Sequence, residues 1–536
     1  MKGQQKMFYL YHSVLLLAIV LIFSCAPPQE GSYLIKSVSI YDGKGSEPFN
    51  GDILINGEHI KQVASKINCP KCQVIDGKGK SLSPGFIDLH AHLEALPQVS
   101  SAESAIHMGV TTALGGPDGS SPINLKKYFA QLEETGVGVN VGHLIGHNSV
   151  RIEVMQLQGR EPTSAELLQM KALIQRAMED GAYGISTGLK YLPGTWAKID
   201  EVIELSKVAG QLGGIYTSHL REEGLGLFEA VQEAIDISKY ADIPVVLTHH
   251  KAIGQPMWGA SKQTLAMVDD ARDAGLDVMI DQYPYTASYT SISVLIPPWS
   301  LEGGRYDKFA ERCEDPTLRD SIKAGIVYNI LNDRGGGDLN RIQLAKFDWK
   351  PHLEGKTLFD WATQEGMEPT PENGAELVIQ AQLHRGAKAI YHAMSDEDVV
   401  RIMQHPQTMI ASDGRITKFK SGFPHPRVYG TFPRVIGHYA RDRKILPITE
   451  AIRKMTSLPA YRMGLTDRGT IKEGYYADLV LFDEDEILDK ATFEEPHQYP
   501  TGIDMVMING QIALRDGHLS DQKHGKILKS PSFKHR

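Results

Sequence analysis

From residue 84 onward the chain alternates short β-rich runs with helical stretches, and this alternation limits the fold more than any other feature. The runs are "GFIDLH" (85–90), "VTTALGG" (110–116), "VGVNVGHLIGH" (137–147), "AYGISTG" (182–188), "GIYTSH" (214–219), "IPVVLTHH" (243–250), "LDVMIDQYPY" (276–285) and "QTMIASDG" (407–414). Between them lie helical segments. In "TSAELLQMKALIQRAMEDG", Thr163 and Glu166 stand at capping-box spacing and Gly181 marks the stop. "SKQTLAMVDDARDAG" (261–275) is another. Eight strand–helix units predict an α/β fold, a (β/α)8 TIM-like barrel over residues 84–462 with its site where the strands end.

Two parts stand outside the repeat. About 296–400, between strands seven and eight, is far longer than a connection, which predicts an insertion lidding the barrel mouth. Its "DRGGGD" lacks the Gly-Lys-Ser/Thr of a phosphate loop and reads as a turn. The flanks, 33–83 and 463–520, are short alternating strands with Gly and Asn-Gly turns. One small β-sandwich domain drawn from both ends of the chain would explain their likeness.

The first 25 residues are different. Lys2 and Lys6 precede the uncharged "FYLYHSVLLLAIVLIFS", which ends at Cys25. This predicts an export signal, nearly long enough to serve as a membrane anchor. "IFSC" resembles a bacterial lipoprotein processing box, with Cys25 as the lipid-bearing first residue of the mature protein. The expected location is therefore the cell envelope, on the periplasmic side, with membrane contact only through this segment. "CPKC" (Cys69, Cys72) lacks the second pair of a structural zinc site, so a local disulfide or two inert thiols is expected. Net charge is −9 with the signs interspersed, and no basic–aromatic cluster points to nucleic acid. The basic tail "KHGKILKSPSFKHR" reads as a solvated terminus.

The chemistry gathers at strand ends. With 20 histidines in 536 residues, about one His-x-His arises by chance, so "HAH" alone proves little. But His90 and His92 close strand one, His219 closes strand five, His249 closes strand six and Asp413 closes strand eight. Positions i and i+2 of a strand share a side, so His90 and His92 can face one site. A lone histidine at a strand end is more often packing. Four with a carboxylate on one rim are what a catalytic zinc requires, with a position left for water. By the same alternation His250 turns away and packs.

"PGFIDLHAH", the single histidines after strands five and six, and "SDG" after strand eight resemble the amidohydrolase superfamily. "GVTTALGG", "STGLKYLPG", "SHLREEG", "THHKAIG", "DQYPYTA", "HPRVYGTFPR", "KMTSLPA" and "GTIKEGYYADLVLFD" resemble the N-acyl-D-amino-acid deacylase (D-aminoacylase) family over roughly residues 33–515. The resemblance implies a zinc-dependent hydrolase holding one or two ions and acting on a small N-acyl amino acid or dipeptide. It implies His219 and His249 as principal ligands, His90 and His92 at a weaker or second position, and Asp413 as the catalytic acid/base. Lys251, Tyr283 and Arg427 match residues that hold the substrate's carboxylate.

Three departures matter. Where the type members have a zinc-ligating cysteine in Gly-Asn-Cys-Gly, this chain has "GPDG" with Asp118, either a harder ligand or a turn residue. Lys190 takes the place of the strand-four lysine that elsewhere in the superfamily is carbamoylated and bridges two metals; the other reading is a surface lysine. Tyr289 stands where a small hydroxyl residue is more usual. His143 and His147 are expected to pack or support rather than ligate. Two alternatives remain: a dipeptidase or cyclic-amide hydrolase with a Lys190-bridged two-metal site, and a non-catalytic envelope binding protein.

Overall fold

The computed structural model describes residues 32–531. The leader, residues 1–25 with Cys25, lies outside the described residues. Among the described residues no helix is long and apolar enough to cross a membrane.

Parallel strands pair in chain order from Phe86. Phe86–Asp88 pairs with Val110–Gly115, and that strand pairs with Asn140–His143. The same segment continues as Ile145–Gly146, which pairs with Gly184–Gly188. Ile215–His219, Val245–Leu247, Val278–Gln282 and Thr408–Ile410 follow, each parallel to the one before. Gly414–Arg415 then pairs with Ala91–His92, so the eighth segment meets the first and the pairings run full circle. One apolar cluster draws Ile87, Leu114, Leu144, Ile215, Val246, Met279 and Met409 from these parallel segments. Side chains along the strands bury one another, and the strand ends are left to carry chemistry.

The helices form where the apolar spacing asks for them. Ser164–Asp180 begins at a complete Thr163/Glu166 capping box, buries Met170, Ile174, Ala177 and Met178 on one face, and stops at Gly181 (φ 114°).

A nine-stranded sheet takes strands from both ends of the chain. Leu479–Phe482 lies antiparallel to Ser81–Pro84, the strand that leads directly into Phe86–Asp88. Its C-terminal hairpin turns through Asn509-Gly510, both at positive φ as a two-residue turn needs. Ile35, Ile53, Ile55, Leu479 and Met507 give the sheet its own apolar core. Cys69 and Cys72 form a disulfide, and Cys313 is free.

Between Val278–Gln282 and Thr408–Ile410 the chain builds another layered unit. Ser288–Ser291 and Ile342–Lys346 flank Lys388–Tyr391 in an antiparallel sheet. Helices Asp307–Glu314, Pro316–Asn329, Leu358–Gln364 and Pro371–Leu383 accompany it. Ile292, Phe309, Ile326, Phe347 and Trp361 lie in a core separate from that of the ring. The unit begins at Ser288, before the point expected from sequence, because Ser288–Ser291 is already a strand of its sheet.

Candidate metal centre

Six predicted side chains meet at the ends of the parallel strands. His90, His92, Asp118 and Asp413 form one group of donors; Asp118, His219 and His249 form a second. Asp118 belongs to both. Its Oδ1 lies 3.5 Å from His90 Nε2, 3.6 Å from His219 Nδ1 and 3.4 Å from His249 Nε2, while Oδ2 lies 3.6 Å from His92 Nε2. His219 Nδ1 and His249 Nε2 are 2.6 Å apart. His90 Nδ1 and Nε2, His219 Nε2 and Asp118 Oδ1 are buried without a hydrogen-bond partner among the described residues. Buried polar atoms are otherwise nearly always paired, so this donor set fits a cation. Burial raises the Asp118 carboxyl, but His90, His219 and His249 outweigh it and hold it well below the usual carboxylate range.

The backbone is bent to make this convergence. Asp118 (φ 54°), His249 (φ 37°) and Asp413 (φ 47°) all sit at positive φ. Each costs roughly 1–3 kcal/mol and persists only where the surroundings enforce it. Gly119 shows the enforcement at Asp118, since a Cβ there would lie 2.3 Å from Asn148 Oδ1 and 2.8 Å from Gly188 N. His249 N donates to Asp281 Oδ1 (2.6 Å), and Asp413 N donates to His90 O (2.9 Å). Asp88, with its carboxyl pushed up to about 6 by burial, accepts from the backbone and hydroxyl of Ser412 and from His90 N. Segments 324 residues apart are thereby held as one piece.

Asp413 Oδ1 lies 3.2 Å from His92 Nε2 and its Oδ2 2.8 Å from Arg427 Nη1. Burial opposes its charge, but Arg427 and His92 dominate and keep it ionised. Two cations approach the Tyr283 ring, Arg427 at 4.6 Å and Lys251 at 5.5 Å from its centroid. All three line one cavity of about 330 Å³ with Asp118, His219 and Asp413. Lys251 Nζ is paired with Glu223 and lies 2.6 Å from His249 Nδ1.

Lys190 is not brought into the donor groups. It sits in the turn beyond Gly184–Gly188, and its ammonium is held by Glu222 at 2.7 Å and approaches Asp333 at 3.6 Å. Of the two readings of Lys190, this pairing favours the surface lysine over the carbamate bridge. Past the strand end the alternation no longer aims the side chain inward, and the Lys190 Nζ is engaged by the Glu222 carboxylate. Asp118 occupies the shared position instead.

A sequence profile of the Amidohydrolase family matches residues 357–514. A D-aminoacylase of Alcaligenes xylosoxydans xylosoxydans is 33% identical over 519 residues, covering 92% of this chain and 97% of that protein. The chain belongs to the N-acyl-D-amino-acid deacylase (D-aminoacylase) family of amidohydrolases. Solved structures agree. A D-aminoacylase structure superposes with a TM-score of 0.78 at 32% identity, covering 93% of this chain and 99% of that one. An N-acyl-D-glutamate deacylase from Bordetella bronchiseptica, solved with zinc and a phosphonate inhibitor that mimics the tetrahedral intermediate, gives 0.78 at 30% identity, with the same coverage.

This family member also uses residues that sequence reasoning missed. Glu223, four residues after His219, is buried and pairs with Lys251 and with Arg334 (3.3 Å), and it approaches His249 Nδ1 at 3.3 Å. Arg334 comes from the "DRGGGD" loop that reads as a plain turn. Asp281 Oδ2 approaches His90 Nδ1 at 3.6 Å, behind the ring. The only signal for Glu223 and Asp281 was their place inside "SHLREEG" and "DQYPYTA"; Arg334 had none. His250 packs, donating to or accepting from Thr264 Oγ1 at 2.8 Å, with its pKa lowered to about 3 chiefly by burial. His147 is bound to Glu201 (2.8 Å) and His143 to Leu144 O (2.8 Å), both away from the donor groups.

Proposed function

We propose that this chain is a metal-dependent hydrolase that cleaves the amide bond of N-acyl-D-amino acids, releasing a carboxylate and a free D-amino acid. One observation carries the reading: a carboxylate shared by two donor groups lies in the same cavity as Asp413 and the Lys251–Tyr283–Arg427 cluster. Imidazole and carboxylate donors suit zinc, which the related deacylase structure contains, in one or two positions. His219, His249 and Asp118 would hold one ion, and His90, His92, Asp118 and Asp413 a second. A bound ion of this kind supplies Lewis acidity to water and to the acyl carbonyl.

The chain's own residues do the rest. Asp413, ionised beside Arg427, accepts a proton from the attacking water as the new C–O bond forms. It then delivers that proton to the amide nitrogen as the C–N bond breaks, since an amine and not an amide anion must leave. Arg427 has five donors, so it can pair with Asp413 and still grip a substrate carboxylate. Lys251 adds a second positive charge beside the same ring. A dipeptidase or cyclic-amide hydrolase with a bridged pair of metals drew on Lys190 and on the missing cysteine, and the Glu222 pairing weakens the first of these.

The pairings that run full circle support reading 84–462 as a (β/α)8 barrel, flanked by a β-sandwich from 33–83 and 463–520. Residues 1–25 support export and tethering at the cell envelope through Cys25. The test of activity uses purified protein stripped with a chelator and reloaded with zinc, assayed on N-acetyl-D- and L-methionine. Hydrolysis of the D form that vanishes on stripping and returns on reloading is expected. Hydrolysis indifferent to metal, or none on any N-acyl-D-amino acid, overturns the reading.

A further inference from the structure

The cavity carries more positive charge than the deacylase reading uses. Seven lysines and arginines line it against five carboxylates, although the whole chain is net negative at −9. Five of the seven are paired with a carboxylate, two of them sharing Glu223. Lys190 is on Glu222, Lys251 and Arg334 on Glu223, Arg415 on Glu94 and Arg427 on Asp413. Arg305 and Lys388 are left over. Arg305, exposed at the mouth, donates from Nη2 to Leu192 O and has no ion pair among the described residues. Lys388, half-buried at the start of its strand, has neither an ion pair nor a side-chain hydrogen bond among them.

We propose that Lys388 and Arg305 form a second anion subsite, so that the preferred substrate carries a negative group besides the carboxylate held at Arg427. The proposal rests on the deacylase reading and narrows it to dianionic N-acyl-D-amino acids. The extra charge has two possible sources, an acidic side chain or a dicarboxylic acyl group, and one chemistry recognises both. A half-buried ammonium facing a cavity with no partner loses hydration without compensation, and a substrate anion supplies it. The Lys388 ammonium is pushed down to about 8 by burial and by the nearby Arg415 and Arg305 cations, with Glu94 opposing. An anion bound there relieves that repulsion. The surplus also draws anions toward the mouth.

The test compares kcat/KM on two matched pairs with the zinc-loaded enzyme. One pair is N-acetyl-D-glutamate against N-acetyl-D-glutamine, and the other is N-succinyl-D-leucine against its terminal amide. A preference of about tenfold or more for the acid in either pair is expected, and the pair that shows it names the source. Lys388→Glu should reverse that ratio, Lys388→Gln should bring it toward one, and Lys388→Arg should keep it. If all substrates are hydrolysed with no preference for either acid, the subsite is overturned and the deacylase reading stands. A preference that survives both Lys388→Glu and Lys388→Gln overturns the assignment to Lys388. Hydrolysis of none of the four overturns the deacylase reading, and the subsite with it.

Discussion

The floor and the wall of the cavity are built in opposite ways. The floor, at the ends of the parallel strands, is buried and cross-tied. His90 is joined to Asp413, Asp88 to Ser412 and Asp281 to His249, each through backbone hydrogen bonds. The wall comes from the inserted unit with its own apolar core, and it offers Tyr289, Arg305 and Lys388 to the cavity without an ion pair among the described residues, while Arg334 is tied to Glu223. The difference teaches a division of labour. Donor atoms and a proton carrier must be held within about 0.5 Å of their working positions, which rigid strands achieve. Side chains that choose among substrates tolerate looser placement, and an inserted unit can vary without disturbing the floor.

The largest expected effect lies on the floor. Asp413→Asn should lower kcat by roughly 10²–10⁴-fold on every substrate while the ion held by His219, His249 and Asp118, followed by elemental analysis, is retained. Retained turnover breaks the assignment of the base. The next lies where floor and wall meet. Glu223→Gln leaves Lys251 and Arg334 buried against a neutral partner, a loss of roughly 3–5 kcal/mol by the general behaviour of broken buried pairs. Denaturant unfolding measures it, and a change under 1 kcal/mol would mean that the two regions are not coupled through this carboxylate. Asp118→Ala removes the shared donor and should weaken metal binding by about a hundredfold or more against a competing chelator, beyond what loss of an outer partner costs. An unchanged affinity would make Asp118 a turn residue after all. The smallest effect belongs to the wall. Tyr289→Ser should move KM by less than about tenfold with kcat held, and should differ between bulky and small side chains. An equal fall in kcat for all substrates would place Tyr289 with the floor.

How far the site was legible depends on how local its determinants are. The histidines at 90, 92, 219 and 249 and the aspartates at 118 and 413 stand beside strand signals, so their common rim could be read from order alone. Lys190 has the same kind of address but sits in a turn, where its direction is set by Glu222 on the next loop. Glu223, Asp281 and Arg334 could not be singled out, because an acidic or basic residue near a loop is ordinarily solvated. The Ser288–Ser291 strand was also missed as the start of the insertion, since it is short and its partner lies about a hundred residues on.

By itself the sequence determined the order of elements, the periodicity that buries one side of each, and which residue types end each parallel strand. These are properties of a few neighbouring residues, and the 3.6 and 2.0 repeats record them directly. Only the tertiary structure decided that one oxygen of Asp118 faces three imidazoles, that Arg334 reaches Glu223 from a different unit, and that Lys388 has no ion pair among the described residues. Each of those depends on distances between segments far apart in the chain. Such distances follow from how strands register and cores pack, and no local pattern encodes them.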